Sequence, residues 1–229
     1  MILPLKYIVD LFFPTVCIGC GQQMQSHRQH LCTLCLMELP FTGFENSVDN
    51  PVAQIFYGRV KIEHATALVF FSKNEIIQQC LHEIKYQNNV FLAHQMGEVF
   101  GKSLVASPFF SKLDMIIPVA LHKTKLKKRG YNQSERIAQP IASALKIPKH
   151  SNILFRTHNT ESQTKKHRME RWQNMEGKFE VKDKAMIAGK HILLIDDVVT
   201  TGATLEASAQ VLIDSGAKVS IAVLAFARD

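Results

Sequence analysis

Apolar residues fall along this chain in two alternating patterns, short unbroken runs and longer stretches with one apolar face. The runs are ATALVFFS (65–72), KLDMIIPVA (112–120), NILF (152–155), KHILLI (190–195) and AKVSIAVLAFA (217–227). Their length and content suit buried strands, the second stopping near Pro118. Between them, NEIIQQCLHEIKY (74–86) sets Ile76, Ile77, Cys80, Leu81 and Ile84 on one helical face, with Asn74 as its cap. Further helices are expected over 89–104, over 132–146 with Pro140 bending or dividing it, and over 203–215 with Gly216 as its stop. Strands alternating with amphipathic helices predict an α/β fold, a mostly parallel sheet flanked by helices on both faces. Residues 36–63, punctuated by Pro40, Gly43, Pro51 and Gly58, read as a linker merging into the main domain.

In open parallel sheets, ligands bind outside the carboxyl ends of strands. At that end of the 190–195 strand stand two adjacent acids, Asp196 and Asp197, followed by VVTTGAT. Neighbouring carboxylates disfavour one another's ionised forms, and burying either needs compensation. Gly202 lets the backbone turn tightly enough for successive amides to converge on a phosphate, and the next helix adds its own N-terminal amides. Thr200, Thr201 and Thr204 add hydroxyls. Phosphate in this loop and sugar hydroxyls, or Mg²⁺ with its waters, on the acids make a sugar-phosphate site. The alternative is an ordinary strand–turn–helix with capping threonines.

Four of the five cysteines form Cys17–Ile–Gly–Cys20 and Cys32–Thr–Leu–Cys35, eleven residues apart. Two such pairs supply the four sulfurs of a structural zinc tetrahedron, with no open position for chemistry. Two disulfides are the alternative, a poor match to a chain without an export signal. His27 and His30, between the pairs, are weaker candidates for one ligand, and Cys80 fits a core position.

Composition adds limits. Over 229 residues, 46% hydrophobic and 21% charged content describes a folded chain, and the net charge of +7 suits a polyanionic or phosphorylated ligand. The first residues are apolar but interrupted by Pro4, Lys6 and Asp10, so an amphipathic helix over 5–13 is expected in place of a signal. No apolar stretch reaches membrane-spanning length, and the cytoplasm is the expected location.

The run ILLIDDVVTTGAT resembles the phosphoribosyl-pyrophosphate signature of type I phosphoribosyltransferases. With LHEIKYQNN (81–89), IIPVALHKTKLKKRGYNQS (116–134), RTHNTESQTKKHRMERWQNMEGKF (156–179) and the double CxxC, nearly the whole chain resembles the ComF family, linked to DNA uptake. The resemblance implies a type I phosphoribosyltransferase-like domain over 41–229 behind a zinc-binding module over 1–40. It also implies Asp196 and Asp197 as ribose- or metal-associated acids and Val198, Val199, Thr200, Thr201, Gly202, Ala203 and Thr204 as the 5′-phosphate loop. Phosphoribosyl pyrophosphate with Mg²⁺ would be the ligand, completed by residues of 118–133 and 156–174. The chain departs from the family at Ala120 and Thr124, where Pro and Arg are common, and at Lys166.

Two basic stretches remain. One holds Lys123, Lys125, Lys127, Lys128 and Arg129 and ends in Gly130–Tyr131–Asn132–Gln133; the other holds Lys165, Lys166, His167, Arg168 and Arg171 beside Trp172. Arg129 suits phosphate oxygens, and Tyr131 either stacks on a base or packs inside. Lys128, Arg129, Tyr131 and Arg168 are the candidate contacts to single-stranded DNA, with weak sequence preference and strong salt dependence. Three readings follow: a DNA-uptake factor that binds single-stranded DNA or an uptake helicase near the membrane-associated machinery, an active phosphoribosyltransferase of unknown acceptor, and an adaptor with a silent site. Catalysis would rest on Asp196, Asp197 and Arg129. No glutaminase nucleophile is apparent, since four cysteines are committed to metal and Cys80 to the core.

Overall fold

The computed structural model describes residues 14–73, 75–157 and 179–227. The helix expected over 5–13, the Asn74 cap and the basic cluster at 165–172, Arg168 and Trp172 included, lie outside them. Four parallel strands, β1 (Ala65–Phe71), β2 (Met115–Pro118), β5 (His191–Val199) and β6 (Lys218–Ala227), form a sheet in the order β1-β6-β5-β2. A separate antiparallel pair, β3 (Leu154–Arg156) and β4 (Phe179–Val181), lies between β2 and β5 in sequence. Helices α1 (Thr33–Met37), α2 (Pro51–Gln54), α3 (Ile76–Tyr86), α4 (Val90–Ala106), α5 (Lys123–Arg129), α6 (Gln133–Leu145), α7 (Lys184–Ile187) and α8 (Ala203–Ile213) complete the described fold.

The alternation of β5 divides the core. Leu193 and Ile195 join one buried cluster with α3, α4 and α6, whereas Ile192 and Leu194 join another with α2, α8 and Phe56. A sheet covered on both faces explains why its strands read as unbroken apolar runs. Cys17, Leu31, Cys35 and Leu39 belong to the first cluster, so the cysteine-bearing segment packs on the main core through Ile77, Leu81 and their neighbours. Cys80 is fully buried there, as expected.

Three sequence readings change. The strand expected over 190–195 continues through Val199, placing both acids inside a strand. Helix α6 runs through Pro140 without dividing. It packs so tightly on α4 that a Cβ on Gly97 would lie 2.5 Å from both the Ile137 carbonyl oxygen and Pro140 Cγ. Residues 36–63 are not a loose linker, because Val52 and Phe56 are fully buried and α2 is capped by Asn50, whose side chain accepts from Val52 and Ala53.

The strands differ in length where function is expected. β2 ends at Pro118, opposite Ile195, and Val119 donates its N–H to the Ile195 carbonyl. Proline has no N–H with which to extend a ladder. β5 runs on for four residues paired to β6, through Asp196↔Val223, Val198↔Ala225 and Val199↔Phe226. That overhang leaves one edge of the acidic segment facing a cleft instead of a strand.

Candidate functional site

The cleft has a volume of about 230 Å³ and is walled by the β5 overhang, residues 200–205, Val119–Leu121, Lys85, Lys125, Arg129, Gln133 and Arg156. All residues expected in the phosphate loop, Val198 to Thr204, line it together with Asp196, Asp197 and Arg129. Gly202 takes φ +76° as the N-cap residue of α8. A Cβ there would be strained by that conformation and would stand 2.5 Å from Ile55 Cγ2. The first-turn amides of α8 lack partners within the helix, so the loop offers donors beside the positive end of the helix dipole.

Asp196 and Asp197 meet different environments although they are consecutive. Asp197 is 4% exposed, and its Oδ2 lies 3.3 Å from Lys85 Nζ. That Oδ2 makes no hydrogen bond among the described residues, so the lysine meets it as a charge alone. Asp196 Oδ1 accepts from Ser134 Oγ at 2.7 Å and from the Asp197 backbone N–H at 2.9 Å. Burial, and then the neighbouring Asp197 charge, raise its pKa from 3.8 to about 7. Ser134 is held by Asn132, which accepts from the Ser134 N–H and donates to the Val119 carbonyl. Gln133, 4% exposed, presents an Oε1 with no hydrogen-bond partner among the described residues.

Four basic side chains, Lys85, Lys125, Arg129 and Arg156, line the cleft against two acids. Their mutual repulsion is visible at Lys125, whose pKa is lowered by burial first and then by Arg156, Arg129 and Lys85. Such a cluster favours an anion.

Sequence reasoning missed three supports. Arg59 donates to the carbonyl of Thr201 at 2.8 Å and of Ile55 at 3.0 Å, and pairs with Glu206 on α8. It thereby ties the loop to α2 and α8. Lys85 and Ser134 were not read as partners of the acids. The motif around Lys85 was the available signal, since Lys85 lies off the apolar stripe of α3.

The basic run 123–129 is a helix, α5. It leaves Lys128 exposed and brings Arg129 to the cleft. Tyr131 requires a correction. Its ring is 6% exposed and its hydroxyl donates to the Ile84 carbonyl, so it anchors the core and offers no face to a base.

The sulfurs of Cys17, Cys20, Cys32 and Cys35 all lie within 4.8 Å of one another. Cys20 and Cys32 Sγ are 3.8 Å apart, and a tetrahedron with Zn–S bonds of ~2.3 Å has edges of about 3.8 Å. Backbone N–H groups of Cys32 and Cys35 donate to Cys17 and Cys32 sulfur. Burial opposes ionisation of Cys17, yet N–H donors from Cys20, Cys32 and Gly19 bring its thiol down to about 6. The cluster can hold a metal such as zinc. Neither histidine joins it: His27 Nδ1 contacts Thr15 and His30 Nδ1 contacts Asn89.

Residues 109–229 match the phosphoribosyl transferase domain. The chain belongs to that family. The ComF resemblance is borne out by its relatives. Competence protein ComFC of Bacillus subtilis is 27% identical over 90% of this chain and 81% of its own. Competence protein F of Haemophilus influenzae is 26% identical over 88% of this chain and 92% of its own. DNA utilization protein YhgH of Escherichia coli K12 is 28% identical over 60% of this chain and 61% of its own. A solved glutamine phosphoribosylpyrophosphate amidotransferase from Bacillus subtilis, complexed with ADP and GMP, aligns at 16% identity and TM-score 0.42, covering 63% of this chain and 30% of its own. No helix among the described residues is long and apolar enough to cross a membrane.

Elemental analysis should find one zinc per chain, reduced to near zero by Cys32→Ser, with ligand binding in the cleft less affected than folding of the N-terminal segment. A zinc-free parent with two disulfides would refute the metal site. A second expectation follows from Asp196. Its pKa is higher in the folded chain than the unfolded value of 3.8, so its contribution to stability falls as pH rises from about 3.8 to about 7. Urea unfolding at several pH values should show that loss in the parent and its removal in Asp196→Asn. An unchanged pH profile in the variant would mean that the carboxyl titrates normally.

Proposed function

We propose that the cleft binds phosphoribosyl pyrophosphate, or a related ribose phosphate, and that the protein serves DNA uptake, a reading supported by its likeness to relatives named competence proteins. In this reading the 5′-phosphate lies on the loop Val198–Thr204, and the ribose hydroxyls donate to Asp196 and Asp197. The anionic far end meets Lys125, Arg129 and Arg156.

The observation that carries the reading is the pairing of a glycine-turned amide loop with two buried acceptors, Asp197 Oδ2 and Gln133 Oε1, that make no hydrogen bond among the described residues. An unsatisfied buried polar atom costs about 1–3 kcal/mol, and vicinal hydroxyls are donors of suitable reach. Lys85 balances part of the acidic charge. Mg²⁺ also fits this hard-oxygen set, with Asp196 and Asp197 as its protein ligands, directly or through water. Bound with pyrophosphate, it would supply charge neutralisation at the leaving group. Zinc in the cysteine cluster would be structural.

Single-stranded DNA is the second ligand in this proposal. It would run over the exposed face of α5 at Lys128 and Arg129, with Arg168 kept as a contact expected from the sequence and an uptake helicase as a protein partner near the membrane machinery. The enzymatic form of the reading, transfer of the phosphoribosyl group with pyrophosphate release, is favoured by the cation cluster of Lys125, Arg129 and Arg156 at the leaving-group end.

Calorimetry with phosphoribosyl pyrophosphate, ribose 5-phosphate and deoxyribose 5-phosphate, each with and without Mg²⁺, tests the cleft. Losing a charge-assisted hydrogen bond costs roughly 1.5–3 kcal/mol, so the deoxy ligand should bind about tenfold or more weakly. Asp196→Asn and Asp197→Asn should erase that difference, and Gly202→Val should abolish phosphate binding in a protein whose melting confirms that it folds. Indifference to all three substitutions would refute the reading, while pyrophosphate release with a panel of bases and amines would decide turnover.

A further inference from the structure

We propose that Tyr86 is the platform on which an unpaired base of single-stranded DNA stacks, at the outer lip of the ribose-phosphate cleft. The inference rests on the strand-binding reading above and deepens it. Tyr86 is the last residue of α3 and is 62% exposed, whereas Tyr131, the aromatic residue singled out by sequence, is internal. Its neighbour Lys85 points the other way, to Asp197 inside the cleft. One turn of helix therefore contributes one side chain to the acids and the next to the surface.

The ring is not isolated. The Arg129 guanidinium lies over it, 5.3 Å from its centroid, and the His82 ring approaches to 5.2 Å. Arg129 also lines the cleft, so the lip and the phosphate site share a side chain. Behind Arg129, α5 carries five basic residues in seven and no acid, with Lys123, Lys127 and Lys128 exposed. An exposed aromatic ring next to such a row of cations has the two components of a sequence-tolerant single-strand site. The base joins the ring and the guanidinium lying over it in one stack, and the backbone phosphates take the lysines. A duplex keeps its bases stacked inside and has none to offer the ring. A protein partner would need apolar area, and this surface is chiefly cationic.

Fluorescence anisotropy with the full chain would use labelled oligo(dT), an abasic strand of equal length and a duplex of equal length. The parent should prefer oligo(dT) over the abasic strand. Tyr86→Ala should weaken oligo(dT) binding about tenfold, leave the abasic strand and the salt dependence unchanged, and leave ribose 5-phosphate calorimetry unchanged. Tyr86→Phe should keep the parent affinity, since the face stacks and not the hydroxyl. Parent-like oligo(dT) binding by Tyr86→Ala would overturn the platform while leaving DNA on the lysines. A parent that binds no strand at all would overturn the strand-binding reading and the platform with it, and equal affinity for the duplex would overturn the role of an unpaired base.

Discussion

Two carboxyl groups on consecutive residues of one strand cannot both be taken from water without partners, and the architecture converges on that constraint. Desolvation and mutual repulsion push Asp196 toward its protonated form, and Ser134 and a backbone N–H offset part of that push. Lys85 meets Asp197 from a different helix. The acids can therefore stand at the mouth of a parallel sheet because α3 and α6 each deliver one group to them. The short β2 supplies the space, since its end at Pro118 leaves the β5 overhang with one strand neighbour.

The glycine-turned loop after β5 depends on a second convergence. Gly202 permits a turn that any side chain would strain, and Ile55 and Phe56 fill the space behind it. Arg59 then joins the Thr201 carbonyl, the Ile55 carbonyl and Glu206, so the loop is fastened to α2 and α8 before any ligand arrives. Holding donors in place beforehand lowers the ordering cost of binding. The cations opposite, where burial first and the neighbouring charges second depress Lys125, give the cleft its preference for an anion.

Much of this was legible in the sequence because it is local. The strand–turn–helix around Asp196 and Gly202 lies within some twenty residues, and the paired CxxC spacing carries its tetrahedron with it. Periodicity likewise reports the strands and long helices, whose buried faces impose it. The supports were not legible because they are distant contacts: Arg59 reaches Thr201 across 142 residues and Ser134 reaches Asp196 across 62. Tyr86 and Tyr131 show the same limit from another side. Both are tyrosines beside basic residues, and only tertiary packing decides that one hides its ring against Ile84 while the other holds it out under Arg129.

The central claim is that the acids of β5 face a ribose whose phosphate rests on the α8 turn. A crystal structure of the protein with ribose 5-phosphate tests it most directly. The account predicts phosphate oxygens within hydrogen-bonding distance of the backbone amides of Thr200–Thr204, and ring hydroxyls within the same reach of Asp196 or Asp197. Density for the sugar elsewhere, with phosphate on α5 and the loop uninvolved, would contradict it.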